Sequence, residues 1–251
     1  MHDLTGRTVV VTGGNSGIGL SLAAGVARAG ANVAIWSRNA PRNSGAASML
    51  AVHRTKVLPV SCDVGDEKSV AAAMATTVAE LGRVDCVMIN AGMHAGAPIQ
   101  HMTLDEWHQV MRVNLDGAFL TAREAARVFI EQGTGGSMVV VSSTISRYGA
   151  AGQASYAASK TGLIGLGRTL AVELAKHQVR VNILIPGWTR TPLNEAQQAN
   201  EQFMAATTRR TPVRRWADPA EFEAIAPFLA DPTLTFHTGN EVIVDGGYTI
   251  F

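Results

Sequence analysis

Short runs of β-branched residues alternate with longer Ala- and Leu-rich stretches along the whole chain, and this alternation constrains the fold more than any other feature. A short apolar run fits a buried strand, and an intervening helix lets the next strand lie parallel to the last. The pattern predicts repeated strand–helix–strand units, hence an α/β protein with a doubly wound, seven-stranded parallel sheet flanked by helices. The strands fall at Thr8–Val11, Asn32–Trp36, Lys56–Val60, Val84–Ile89, Ser137–Val141, Arg180–Leu184 and Glu241–Val244. Helices fill most of the gaps, and their ends are punctuated. Leu20–Ala29 stops at Gly30, while Asp66 and Thr103 are N-cap candidates for the helices that follow them.

With no internal repeat and no linker, residues 1–251 are expected to form a single domain. The stretch from Trp188 to Trp216, broken by Pro192 and Pro212, carries no strand pattern and reads as a mobile lid over residues 188–216. At 47% hydrophobic and 16% charged residues, the chain is too apolar for disorder and too interrupted by charge for a membrane span. Its formal net charge of +1 supplies no bulk attraction for nucleic acid or an anionic membrane, so neither is expected as a partner. The opening MHDLTGRTVVV lacks a basic segment followed by a long apolar one, which points to a cytoplasmic location. Cys62 and Cys86 read as small core residues. Pro98 interrupts any helix that would align His94, His101 and His108, and no metal site is expected.

The first strand runs into TGGNSGIG, Thr12 to Gly19, and directly into a helix. Without Cβ atoms at Gly13, Gly17 and Gly19, the backbone turns tightly and a pyrophosphate can approach N–H groups at the positive end of the helix. Asn15, Ser16 and Ile18 add side-chain or backbone donors. The order of strand, turn and helix favours a dinucleotide site over an ordinary Gly-rich connection.

Tyr156 and Lys160 stand four apart at the start of the helical run ASYAASKTGLIGLGRTLAVELA, one turn apart on one face. An ammonium about 4 Å from a phenolic oxygen, at an effective dielectric near 20, favours the phenolate by about 4 kcal/mol or about 3 pKa units. That would draw the tyrosine towards neutrality and suit it to proton transfer. Ser143 ends the run SMVVVSS, which sets its hydroxyl at the carboxyl edge of the sheet, where open α/β proteins bind ligands.

Together TGGNSGIG, NAG at Asn90–Gly92, Asn114, Ser143, YAASK at Tyr156–Lys160, PGWTRT at Pro186–Thr191 and VDGG at Val244–Gly247 resemble the short-chain dehydrogenase/reductase family over essentially the whole chain. The resemblance implies a Rossmann-type fold and hydride transfer between a nicotinamide and a ketone or alcohol. By it, Tyr156 is the acid/base, Ser143 orients and polarises the carbonyl, and Lys160 lowers the Tyr156 pKa and holds the nicotinamide ribose. Asn114 then holds a water of a proton relay. It also implies that Asn90, Ala91 and Gly92 lie beside the cofactor ribose, Asp63 and Val64 at the adenine, and Pro186, Gly187, Thr189 and Thr191 around the nicotinamide. Read without the resemblance, Asp63 caps a turn and Asn90 satisfies backbone groups.

Ser37, at the end of the second strand, lacks the negative charge that would repel a ribose 2′-phosphate, and Arg38 offers such a phosphate a planar donor fork. NADP is therefore expected to be preferred over NAD, modestly, because Arg38 is the one cation seen there. The pocket candidates Met93, His94, Ile145, Tyr148, Gln153, Trp188, Phe203 and Met204 favour a neutral or weakly polar ketone or alcohol. Arg147 and Arg190 keep a sugar acid open. Two other readings also stand. One is a 3-oxoacyl-carrier-protein reductase docking its carrier through Arg123 and Arg127; the other is a dinucleotide-sensing regulatory protein without turnover. The resemblance, the small residues Gly162, Gly165, Gly167 and Ala171, and the apolar ending GGYTIF lead to an expected homotetramer, with packing of that helix inside the subunit as the alternative.

Overall fold

The computed structural model describes residues 2–251. Seven strands form one parallel sheet: β1 (Thr8–Thr12), β2 (Asn32–Ser37), β3 (Val57–Ser61), β4 (Cys86–Ile89), β5 (Gly136–Val141), β6 (Val179–Pro186) and β7 (Glu241–Val244), in the order β3-β2-β1-β4-β5-β6-β7. Successive side chains of a strand point to opposite faces, and the sheet uses both. Val10, Ala34, Val87 and Val140 face α3 (Glu67–Leu81), α5 (Gly117–Gln132) and α6 (Ala154–Leu174). Val9, Val11, Val33, Met88 and Val139 face α1 (Gly17–Arg28), α2 (Ala40–Leu50) and α9 (Ile225–Ala230). These two apolar layers make the doubly wound Rossmann arrangement. Strand order reverses between β1 and β4, which opens a crevice at their carboxyl ends.

Most strand boundaries shift by one or two residues from those expected, and at β4 a side chain takes the backbone groups. Val84 is buried yet precedes β4, because the Gln132 side chain accepts from its N–H at 2.9 Å and donates to its carbonyl at 2.7 Å. The N-caps behave as anticipated. Asp66 accepts from the Lys68 amide, and Thr103 with Glu106 forms a reciprocal capping box at the head of α4 (Leu104–Met111). Between α4 and α5 the helix widens into one π turn, Arg112–Asp116.

The 188–216 segment is largely helical, with α7 (Glu195–Gln198) and α8 (Glu201–Arg210). Trp216 is fully buried at its end, stacked on Trp188 at 4.9 Å and donating from Nε1 to Thr207 Oγ1 at 2.9 Å. Proline interruptions hid this helix from the sequence pattern. The small residues of α6 are mostly spent within the subunit: a Cβ at Gly167 would lie 2.7 Å from Ile183, one at Gly162 would lie 3.2 Å from Leu115, and Ala171 is buried. Both cysteines are buried free thiols, pushed up by desolvation to about 11 for Cys62 and about 12 for Cys86. Among the described residues no helix is long and apolar enough to cross a membrane.

Candidate active site

A cleft of about 1220 Å³ runs along the carboxyl ends of the strands, from Arg38 at one end to Tyr248 at the other. Its centre is the turn between β1 and α1. Gly13 and Gly17 have φ of +66° and +53°, and a Cβ on Gly19 would lie 2.3 Å from the Gly13 carbonyl oxygen, so a side chain at any of the three is disfavoured. Ser16 at the N-cap of α1 makes no side-chain capping bond, and the first turn carries no acid. The leading N–H groups of a twelve-residue helix are thus left for an external acceptor, which suits a pyrophosphate.

Asn15, Ser16, Gly17, Ile18, Ser37, Arg38, Asp63 and Val64 line the same cleft. The Ser37 hydroxyl accepts from Asn15 Nδ2, whose second partner is Asn43 Oδ1 at 2.8 Å. Asn43 is buried and donates to the carbonyls of Ser37 and Val60, which ties α2 to the ends of β2 and β3. Asp63 lines the cleft while its carboxylate accepts from the Gly65 amide and pairs with Arg112. Asn90 donates from Nδ2 to the Thr12 carbonyl, and the Asn90 and Ala91 amides both donate to Thr12 Oγ1. The structural readings of Asp63 and Asn90 therefore coexist with their position on the cleft wall.

Ser143, Tyr156 and Lys160 meet beyond this region. Ser143 follows β5, and Tyr156 lies near the head of α6. The start of α6 is fastened by Ser142 Oγ donating to the Lys160 carbonyl at 2.7 Å and by Ser159 Oγ donating to the Tyr156 carbonyl at 2.8 Å. Asn114 sits on the π turn; its amide accepts from the Met93 N–H and donates to the Met93 carbonyl and Ser159 Oγ. One Oδ1 lone pair is left over. A Cβ at Gly92 would lie 3.4 Å from Asn114 Oδ1 and 3.5 Å from Lys160 Nζ, so these two groups share the space above a glycine. His94 lies edge-on to Tyr156 at 5.2 Å and hydrogen-bonds Gln153.

The electrostatics differ from the pairing expected of Tyr156 and Lys160. Lys160 Nζ donates to the Val141 carbonyl at 2.9 Å and stands 5.8 Å from the centre of the Tyr156 ring. Burial brings Lys160 down to about 8, and burial likewise raises Tyr156 above its ordinary value, opposed by a hydrogen bond with Ser143. Desolvation is the largest cause for both groups, and neither shift draws on the other's charge.

Pro186, Gly187, Thr189 and Thr191 close the cleft from the β6 side, and a Cβ at Gly17 would lie 3.2 Å from Thr191 Cγ2. The comparisons with known proteins agree with this arrangement. A family model described as enoyl-(acyl carrier protein) reductase matches residues 13–249. The crystal structure of a short-chain type dehydrogenase/reductase from Mycobacterium marinum is 33% identical, with 99% of this chain and 97% of that one covered and a TM-score of 0.94. The chain belongs to the short-chain dehydrogenase/reductase family. A 2,5-dichloro-2,5-cyclohexadiene-1,4-diol dehydrogenase from Sphingobium indicum is 33% identical over 251 residues, 99% of each chain. A gluconate 5-dehydrogenase from Burkholderia cenocepacia, solved with NADP and tartrate, is 34% identical, with coverage of 100% and 98% and a TM-score of 0.95. As a short-chain dehydrogenase/reductase, the chain is an NAD(P)-dependent oxidoreductase acting on CH–OH and carbonyl groups of small molecules.

Within this short-chain dehydrogenase/reductase, several cleft residues escape sequence reasoning. Arg42 joins Arg38 at the outer end, and Thr207, Arg210 and Tyr248 line the inner end. The spacing of Phe203, Thr207 and Arg210, four and then three apart, is the helical signal that would have found them. Met93 packs against the core instead of lining the cleft, and Met204, one position off the Phe203 stripe, does not line it either. Arg147 pairs with Glu241 and Arg190 with Asp218, so both arginines proposed for a carboxylate already have partners. Arg123 contacts Glu67 and Glu124, and Arg127 contacts Glu124.

Proposed function

We propose that Tyr156 is the acid/base for interconversion of a carbonyl compound and its secondary alcohol, with Ser143, Lys160 and Asn114 as its partners. One observation carries this reading: Ser143, Tyr156 and Lys160 converge at the carboxyl end of β5, in a cleft continuous with the uncapped N-terminus of α1. When bound, the nicotinamide dinucleotide supplies or accepts the hydride. In the reductive direction the Tyr156 hydroxyl gives its proton to the substrate oxygen as that oxygen gains alkoxide character, and Ser143 donates a second hydrogen bond to it. Lys160, facing Gly92 and Asn114, holds the nicotinamide ribose. The free lone pair on Asn114 Oδ1 accepts from a relay water that restores the proton. Gly13, Gly17, Gly19, Asn90, Ala91 and Gly92 keep the backbone close to the cofactor. The test is incubation with NADPH deuterated at the transferred position and a panel of ketones, followed by mass spectrometry of the alcohol.

NADP is the preferred coenzyme. Two guanidinium groups, Arg38 and Arg42, line the ribose end with Ser37 and no acid but Asp63, which Arg112 engages. The NADP held by the Burkholderia relative supports the choice. Charge-assisted contacts of this kind are expected to give NADP about a ten- to hundredfold advantage in kcat/KM. A Ser37→Asp, Arg38→Leu double variant is expected to reverse it; equal or better use of NAD by the wild type would refute the assignment.

The assembly is a homotetramer. Ile243 on edge strand β7, Phe236 before that strand, Ile250 and Phe251 after it, and Phe119 on α5 are exposed, and exposed apolar side chains on a sheet edge are ordinarily covered by another subunit. Light scattering is expected to return four times the chain mass, and a monomer at micromolar concentration would rule the tetramer out.

A further inference from the structure

We infer that Arg210 anchors a carboxylate at the inner end of the cleft, so that the enzyme's substrates are hydroxy acids or oxo acids. The inference rests on the reading of Tyr156 and Ser143 as the carbonyl-handling pair, since it names what the substrate carries beyond that carbonyl.

Arg210 is aimed at the cleft by its helix. Phe203, Thr207 and Arg210 form one stripe of α8, which is fixed by Phe203 lying edge-on to Trp188 at 5.1 Å and by Thr207 accepting from Trp216. The guanidinium carbon stands 4.3 Å from the centre of the Tyr248 ring and 5.1 Å from that of Tyr148, and the two rings are 5.5 Å apart. Stacking occupies the faces of a guanidinium and leaves its in-plane N–H donors for hydrogen bonds. Among the described residues the one acceptor is Tyr248 Oη, at a long 3.5 Å from Nη1. Among the described residues no carboxylate forms an ion pair with Arg210, whereas Arg147, Arg190 and Arg215 all have one.

The surroundings of Arg210 are also short of acceptors. Trp188 Nε1, in the same aromatic cluster, is buried without a hydrogen-bond partner. A buried donor of this kind ordinarily finds an acceptor. Tyr148 is pushed up to about 12, chiefly by burial, and its hydroxyl is engaged by Thr144 and Tyr248, so it brings no negative charge to Arg210. The lining of the whole cleft contains the cations Arg38, Arg42, Lys160 and Arg210 and a single carboxylate, Asp63, which belongs to the opposite end. A pocket end with a planar cation held between two aromatic rings, and no acid, matches a planar anion that accepts through two oxygens.

A matched pair of four-carbon ligands tests this: L-tartrate, and L-threitol, in which CH₂OH replaces each carboxylate. Each is titrated calorimetrically into enzyme saturated with NADPH, which cannot turn over an alcohol. Wild type is expected to bind tartrate about ten- to a hundredfold tighter than threitol. Arg210→Gln should bring the two within a few-fold, and Arg210→Lys should keep part of the difference, which separates a lost anion contact from a lost fold. Equal affinities in the wild type, no tartrate binding at any accessible concentration, or a preference unchanged in Arg210→Gln would each overturn the proposal. Tartrate discrimination that survives while no ketone acquires deuterium would leave the anion site standing and sink the catalytic reading instead.

Discussion

Replacing Tyr156 with Phe is expected to lower kcat by about a hundred- to ten-thousandfold, the range of a lost general acid. The Kd for NADPH should change by no more than a few-fold. The substitution deletes one hydroxyl and retains the ring, so the edge contact with His94 at 5.2 Å and the cation contact from Lys160 at 5.8 Å persist. The fastening of α6 through Ser142 and Ser159 involves main-chain carbonyls, and is untouched. Loss of turnover with binding retained is the signature of a group that acts on the reacting oxygen. Stopped-flow turnover and fluorescence titration of NADPH check the two halves. Retention of more than a tenth of kcat would show that the proton comes from elsewhere.

Lys160→Met should abolish most activity and raise the Tm of the cofactor-free protein at pH 7. Burial lowers Lys160 from its ordinary value of 10.5 to about 8, so the folded chain holds this proton less firmly than the unfolded chain. Between those values the unfolded state binds more protons, and stability rises with pH across the window. Below about 8 both states are protonated and the native state bears the whole penalty, about 3 kcal/mol at about 1.4 kcal/mol per pKa unit. The methionine stem fills similar space but gives up the bond to the Val141 carbonyl, which leaves a net gain of about 1–2 kcal/mol. For a chain of this size that is a rise in Tm of roughly 2–8 °C. Calorimetry at pH 7 and again near pH 10.5 should find the gain at the lower pH and its loss at the higher. A variant less stable than wild type at pH 7 would mean that the buried ammonium is not a liability. The activity loss identifies a residue that function keeps at a cost to stability.

The parallel sheet was legible because each strand is a short β-branched run set off by a helix, and the phosphate turn was legible because its glycines fall between a strand and a helix. Local pattern carries that much. It does not carry partnerships between distant residues. Arg147 with Glu241 and Arg190 with Asp218 are pairings made by the fold, and from sequence both arginines looked free for a substrate. Gln132 shortened β4 from far along the chain, and Asn43 tied α2 to two strands with nothing local to announce it. The spacing of Tyr156 and Lys160 put both on one face of α6, but it could not show that Lys160 points to Val141 or that desolvation dominates both groups. Arg210 was missed for a different reason. The prolines around α8 concealed a helix, and without the helix the stripe of Phe203, Thr207 and Arg210 has no meaning.

Deuterium transfer from labelled NADPH reads the proposed coupling of hydride transfer to a proton from Tyr156. Wild type is expected to form an alcohol with one deuterium at the carbinol carbon, and Tyr156→Phe to form almost none of it at saturating NADPH. An unlabelled product, or equal labelling by the two proteins, would contradict that coupling.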